Sequence, residues 1–205
     1  MTDKAMKKLL TLLTFFLLAT QIQAQDVDLL NRIKATNGKI KSFEADLSNT
    51  MVKSRGSESQ EGKLYFVATH RFSAQFTTGK YMIVNDRKIK MNIGIFHGTY
   101  RLRGGMMESL ADIFLCGFQG RLQELMDENG YNLSMETKDG YHIITGTVKR
   151  KKLIGVGYKQ VSFKYHTDSL LLKEIILTDY SDTVDTYTIS NVKYDVTVDQ
   201  TMFDF

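Results

Sequence analysis

The sequence predicts a mainly β fold interrupted by helices. Three observations predict it. Apolar and polar residues alternate at period two along most of the chain. The turns between these runs are of hairpin length, and such short connections join only antiparallel neighbours. One stretch, Met106 to Phe118 (MMESLADIFLCGF), switches to helical spacing. About ten strands are expected, with a short helix at the start and a helical insertion in mid-chain.

The first residues read as an export signal. Lys4, Lys7 and Lys8 precede an apolar run from Leu9 to Thr20, and Gln21 to Ala24 offers a cleavage site after Ala24. The run is too short to span a bilayer. Gln25, not Cys, follows the site, so no lipid anchor is expected. The expected organisation is a signal peptide over 1–24 and one domain over 25–205, long enough to bury its own core. The whole chain carries 27 Lys and Arg against 23 Asp and Glu, net +4, and the signal holds three of those lysines and one aspartate. A near-neutral remainder argues against nucleic acid as a partner. Cys116 is the one cysteine, so burial rather than disulfides must stabilise an exported fold. On the oily helix it reads as a small buried apolar residue.

The elements follow in order. Asp26 or Asp28 caps a short amphipathic helix with Leu29, Leu30 and Ile33 on its inner face and Gly38 at its end. Phe43, Ala45 and Leu47 then alternate with Glu44, Asp46 and Ser48. Ser54 to Glu61 reads as a polar turn. Strands follow around Leu64, Phe66 and Ala68, around Phe72, Ala74 and Phe76, from Tyr81 to Asn85, and around Ile89, Met91 and Ile93. Gly94 to Gly105 is expected to interrupt the meander and lead into the oily helix. There Met106, Leu110, Ile113 and Phe114 share one face, while Met107, Ala111, Leu115 and Phe118 fill the next. So wide an apolar sector wants cover from a concave sheet or a fatty ligand. Leu122, Leu125 and Met126 form another amphipathic turn or two, stopped near Asn129-Gly130. Strands resume at Tyr131–Thr137 and Tyr141–Val148, around the hairpin dipeptide Asp139-Gly140. Three more are expected at Val161, Phe163 and Tyr165, at Ile175 and Leu177, and at Tyr187 and Ile189.

Catalytic patterns are missing from the sequence. His70, His97, His142 and His166 show no ligand spacing with a carboxylate or thiol. Neither a nucleophile elbow nor a phosphate-binding glycine loop is found. Asp179, Asp182 and Asp185 recur every three residues, which suits a solvated turn better than a calcium loop. Lys149-Arg150-Lys151-Lys152 reads as a charged hairpin tip, with contact to lipid headgroups or an acidic partner as the second reading. Neither an enzyme nor a bound cofactor or metal is expected. Met82, Met91, Met106, Met107 and Met126 supply flexible, polarisable side chains suited to a pocket that repacks around variable chains.

Several segments resemble the periplasmic outer-membrane lipoprotein carrier (LolA) family. Glu61-Gly62-Lys63-Leu64-Tyr65-Phe66 with Arg71-Phe72 is similar to its second and third strands. Val84-Asn85-Asp86-Arg87-Lys88 resembles its next hairpin. Asp185 to Val192 (DTYTISNV), followed by Phe203-Asp204-Phe205, resembles its closing segment. The likeness spans nearly all of 27–205. It implies an unclosed antiparallel β-barrel with a helical lid over a concave apolar face. It further implies a soluble, monomeric periplasmic carrier of acylated lipoproteins, loaded by an inner-membrane ABC transporter and unloaded at an outer-membrane receptor. Phe72 matches the family's phenylalanine near the lipid entrance. Two features depart from the pattern. The family's lid-locking arginine before a proline aligns with Ala68 and Thr69, with Arg71 nearby, and the chain ends at Phe205 where many members continue into a C-terminal hook.

The expected acyl-chain site comprises Leu64, Phe66, Phe72, Phe76, Met91, Ile93 and Phe163 from the sheet, with Met106, Leu110, Ile113, Phe114 and Phe118 from the helix. Transport of lipoproteins to the outer membrane is the favoured function. The rival is a lipid- or glycolipid-binding sensor or export module of the same fold, acting in envelope signalling.

Overall fold

A computed structural model describes residues 26–68, 70–94, 96–103, 106–148 and 157–205. The predicted signal peptide, the basic run Lys149–Lys152, Thr69 and the side chain of Met106 lie outside the described residues. Helix α1 covers 26–37. Strands β1 (Ser42–Lys53), β2 (Gly56–Val67), β3 (Arg71–Phe76), β4 (Tyr81–Asn85), β5 (Lys88–Ile93) and β6 (Phe96–Arg101) follow. Helices α2 (Met106–Gln119) and α3 (Leu122–Asn129) separate them from β7 (Tyr131–Lys138), β8 (Tyr141–Val148), β9 (Tyr158–His166), β10 (Leu172–Asp179) and β11 (Val184–Tyr194).

The strands form one sheet in the order β6-β5-β4-β3-β2-β1-β11-β10-β9-β8-β7. Every neighbouring pair is antiparallel. The edges β6 and β7 do not pair, so the barrel is unclosed, and α2 and α3 are the chain between those two edges. The predicted hairpin chemistry is present. Asp139 and Gly140 both have positive φ (52° and 80°), the conformation that matches the twist of a two-residue hairpin.

Two expectations about strands are corrected. The eleven strands agree with the expected count of about ten, but Phe96–Arg101 pairs with β5 where an interruption over Gly94–Gly105 was expected. Its period-two signal is lost at an edge where His97, Gly98 and Thr99 are all exposed. The supposed polar turn Ser54–Glu61 is mostly strand, with only Ser54 and Arg55 turning the chain between β1 and β2. Gly56–Glu61 is polar because that end of the hairpin stands clear of the core.

Burial follows the alternation. Phe43, Ala45, Leu47, Leu64, Phe66, Phe72, Ala74, Val84 and Ile89 occupy the concave face with Val161, Phe163 and Tyr165 from the other half. The helices lie against that face through Leu30 and Ile33 of α1, Leu110 to Phe118 of α2 and Leu122, Leu125 and Met126 of α3. The buried Asn37 amide ties the end of α1 to the β9–β10 turn by donating to the carbonyl of Leu170 at 2.7 Å. Gly120, at φ 68°, turns the chain after α2, and a Cβ there would stand 2.8 Å from the carbonyl oxygen of Ile33.

The convex face has its own cover. Beyond β11 the chain crosses the outside of the sheet, with Ser42 Oγ donating to the carbonyl of Val196 at 2.6 Å. A 3-10 turn, Gln200–Phe203, then packs on β3 and β4. Arg71 Nη1 donates to Gln200 Oε1 at 2.6 Å, its guanidinium lies 5.3 Å from the Phe203 ring centroid, and Asn85 Nδ2 donates to the Phe203 carbonyl at 3.2 Å. Arg71, the arginine nearest the family's lid lock, therefore holds the C-terminal segment.

Candidate functional site

The predicted site residues fall into two groups. Leu64, Phe66, Phe72, Phe76, Ile113, Phe114, Phe118 and Phe163 are buried between sheet and helices. The Phe118 ring meets those of Phe43, Phe66 and Phe72 at 5.4 to 5.6 Å between centroids, and Phe114 meets Phe72 at 5.4 Å and Tyr187 at 4.9 Å. These rings plug one end of the half-barrel. Met91, Ile93 and Leu110 belong to the other group and line an open cavity of about 590 Å³ at the opposite end. That end carries the β1–β2, β3–β4 and β10–β11 turns, as the strand pairing requires.

The cavity is graded. Its inner wall is Met82, Met91, Leu110 and Tyr187, all buried, joined by the half-buried Ile93, Phe96 and Tyr158. Asn49, Gln60 and Asp185 come next, and Lys53, Glu58, Thr78 and Lys80 form the rim. The gradient follows from register. Along β1 the inward positions run Phe43, Ala45, Leu47, Asn49, Met51 and Lys53, so one strand face passes from oil to charge. Its neighbours repeat the trend, because Asn49 pairs with Gln60 and Tyr187, and Met51 with Glu58 and Asp185. The local sequence pattern ends the first strand at Ser48 and sets Asp185 in a solvated turn. Continuing the alternation from Leu47 and back from Leu64 and Ile189 would have placed all three polar residues on the concave face.

The cavity holds one unusual acid. Burial raises the Asp185 carboxyl above its ordinary range; the Asn49 hydrogen bond and Lys53 pull it down, while Asp179 and Glu58 push it up. Burial also pushes the hydroxyls of Tyr158 and Tyr187 up, so both stay protonated. Lys53 pairs with Glu58 at 2.8 Å on the exposed rim. Asp179, by contrast, accepts from the backbone N–H groups of Ser181 and Thr183 at 2.7 and 2.9 Å and organises the β10–β11 turn.

A second cleft, of about 640 Å³, faces the opposite end of the sheet. It is lined by His70, Asp86 to Lys88, Arg101 to Arg103 and the Glu108, Asp112 and Leu115 side of α2. It is charged and lacks an apolar wall comparable to the first. Cys116 is buried, and its thiol is pushed up to about 12, which suits a packing role. Among the described residues no group of three or more His, Cys, Asp or Glu is placed to hold a metal ion. No described helix is long and apolar enough to cross a membrane.

No protein-family model matches the chain, and no curated protein does. Solved structures do match it. An uncharacterized conserved protein from Thermus thermophilus aligns with a TM-score of 0.52 at 7% identity, covering 88% of this chain and 94% of that one. A DUF1329 family protein from Desulfovibrio piger gives 0.48 at 15% identity, covering 86% and 95%. A LolA superfamily protein from Nitrosomonas europaea gives 0.44 at 11% identity, covering 87% and 96%. Identities this low show fold alone: the chain, an unclosed antiparallel half-barrel, shares its fold with the Thermus thermophilus protein.

Proposed function

We propose that the protein is a lipid carrier, which takes up the acyl chains of lipoproteins in the 590 Å³ cavity and ferries them from the inner to the outer membrane. The observation that carries this reading is the gradient from Met82, Met91, Leu110 and Tyr187 through Asn49, Gln60 and Asp185 to the charged rim. An acyl chain with a polar head has the same gradient. The volume falls within the range of sites that enclose small molecules. The energetic task is large. An acyl chain in water costs about 0.8 kcal/mol per methylene, so a long chain costs on the order of 10 kcal/mol to expose. Carriage from an inner-membrane transporter to an outer-membrane receptor, in the space an export signal would reach, belongs to the same proposal.

The test uses the cavity wall, because Phe72 and Phe114 are core residues whose replacement by a charge would unfold the protein. The purified protein should bind a hydrophobic dye and co-purify with lipid. Ile93→Glu places a charge at a half-buried wall position and should reduce dye binding and lipoprotein transfer at least tenfold with the fold intact by circular dichroism. Unchanged transfer would remove the cavity from the account. Photocrosslinking in cells separates the envelope-sensor alternative, since a carrier traps several lipoproteins and a sensor one protein partner.

A further inference from the structure

A polar row interrupts the apolar wall of the cavity midway to the rim, and its hydrogen bonds are unevenly distributed. Asn49, itself buried, faces Gln60 on β2 and Tyr187 on β11. Gln60 Nε2 donates to Asn49 Oδ1 at 3.1 Å, and Gln60 Oε1 accepts from Thr78 Oγ1 at 2.8 Å. The Asn49 amide spends both hydrogens, on Asp185 Oδ1 and on the carbonyl of Thr186, at 3.4 Å each. Asp185 is the residue left short. Among the described residues its carboxylate, which has room for about four donors, receives that single long hydrogen bond. The nearby charges do not supply another. Lys53 is paired with Glu58, and Asp179 and Glu58 carry the same sign as Asp185. The half-buried group lines the cavity beside Tyr158 and Tyr187, so its remaining acceptor capacity is open to whatever the cavity holds.

An under-supplied acceptor inside a ligand cavity selects for a donor on the ligand. Its depth says where on the ligand that donor is. Apolar wall lies inward of Asp185, and the charged rim lies outward. We propose that Asp185 is the anchor for the cargo's head: the cavity takes an acyl or alkyl chain whose first polar group carries an N–H or O–H, and Asp185 accepts that hydrogen bond. An amide-linked or hydroxyl-headed chain satisfies this; an ester- or ether-headed chain does not, because it brings a second acceptor to a carboxylate. The inference rests on the lipid-carrier reading of the cavity and adds the chemistry of the head it selects.

Matched pairs of neutral probes test it, with the full-length exported protein and displacement of a bound fluorescent dye as the readout. N-Methyldodecanamide carries one N–H; N,N-dimethyldodecanamide carries none and has one more methyl group. 1-Dodecanol and 1-methoxydodecane make the same comparison for O–H. The donor-bearing member of at least one pair should bind about tenfold more tightly, the scale of one hydrogen bond to a charged acceptor. The pair that discriminates identifies the donor. Asp185→Leu should bind both members of that pair equally, and Asp185→Asn, which keeps an oxygen acceptor, should retain part of the preference. Equal affinity within both pairs for the unmodified protein overturns the inference and leaves the carrier reading standing. Failure of all four probes to displace the dye overturns both. The comparison within each pair on the unmodified protein decides the matter even if Asp185→Leu folds poorly.

Discussion

Tyr165 of β9 donates its hydroxyl to the backbone carbonyl of Gly117, in the last turn of α2, at 2.6 Å inside the core. Gly117 itself faces Phe163 and Ile175, and a Cβ there would stand 2.9 Å from Phe163 Cε1. The C-terminal half of α2 is therefore clamped to β9 and β10. A cover that opens for cargo must do so from its N-terminal half, where Leu110 borders the cavity.

Two substitutions test the clamp. Tyr165→Phe leaves the Gly117 carbonyl with only the 3.3 Å bond from the Gly120 N–H and should cost about 1 kcal/mol, the net worth of one hydrogen bond. Gly117→Ala forces Phe163 aside and should cost about 1–3 kcal/mol. Both should speed amide hydrogen exchange in the last turns of α2 more than in the sheet. Uniform acceleration across the molecule would show that the contact contributes only to global stability.

Phe114 separates the plugged end from the cavity, since its ring touches Tyr187, a cavity-wall residue, and Phe72, a core residue. Phe114→Ala should cost about 3–5 kcal/mol in urea unfolding, as for other buried aromatic truncations. It should also extend the cavity inward. The affinity ratio of a sixteen-carbon to a twelve-carbon chain should accordingly rise in the variant. An unchanged ratio would mean that the space is not continuous with the cavity.

Most of the core and the half-barrel were legible because they obey local periodicity. Phe43, Leu64, Phe72 and Ile89 each sit in an alternating run, and Leu110, Ile113 and Phe114 in a helical one, so a few residues fix which face is buried. The remainder depends on partners distant in sequence. Asn49 is polar on a face whose apolar run had ended, and only pairing with Gln60 and Tyr187 reveals that it is buried. Arg71 meets Gln200, 129 positions away, which no local pattern encodes. Phe96–Arg101 is strand because Lys88–Ile93 offers it a ladder, despite a glycine and two exposed polar residues in its middle.

The C-terminal segment should be a structural element of the convex face. Phe203 is buried there, over a surface that includes Ser73 and Ile83, both outward-facing yet buried. Phe203→Ala should cost about 3–5 kcal/mol, while Phe205→Ala, at an exposed ring, should stay within about 0.5 kcal/mol. Arg71→Ala should fall between them, losing its bond to Gln200 and its ring contact. Equal, small effects at Phe203 and Phe205 in denaturant titrations would mean that the segment does not hold the sheet.

Asp112, on the outer side of α2, should make stability depend on pH in a specific direction. Burial raises its carboxyl above the ordinary range, and Glu108 and Glu128 raise it further, against opposing pulls from Arg121 and His70. In the unfolded chain it titrates near its reference pKa of about 3.9. Below that value both states hold the proton, and the residue has no differential effect. As pH rises past it, the unfolded chain releases the proton first, so folding loses stability until the folded-state carboxyl has also ionised. At neutral pH the ionised group therefore costs stability. Asp112→Asn removes that cost and should raise Tm by about 1–4 °C at pH 7, with the gain shrinking towards zero near pH 3. Thermal melts of the two proteins across that range decide it: a gain of equal size at both ends would trace to packing, and a loss at pH 7 would mean that the ionised carboxylate has a stabilising partner.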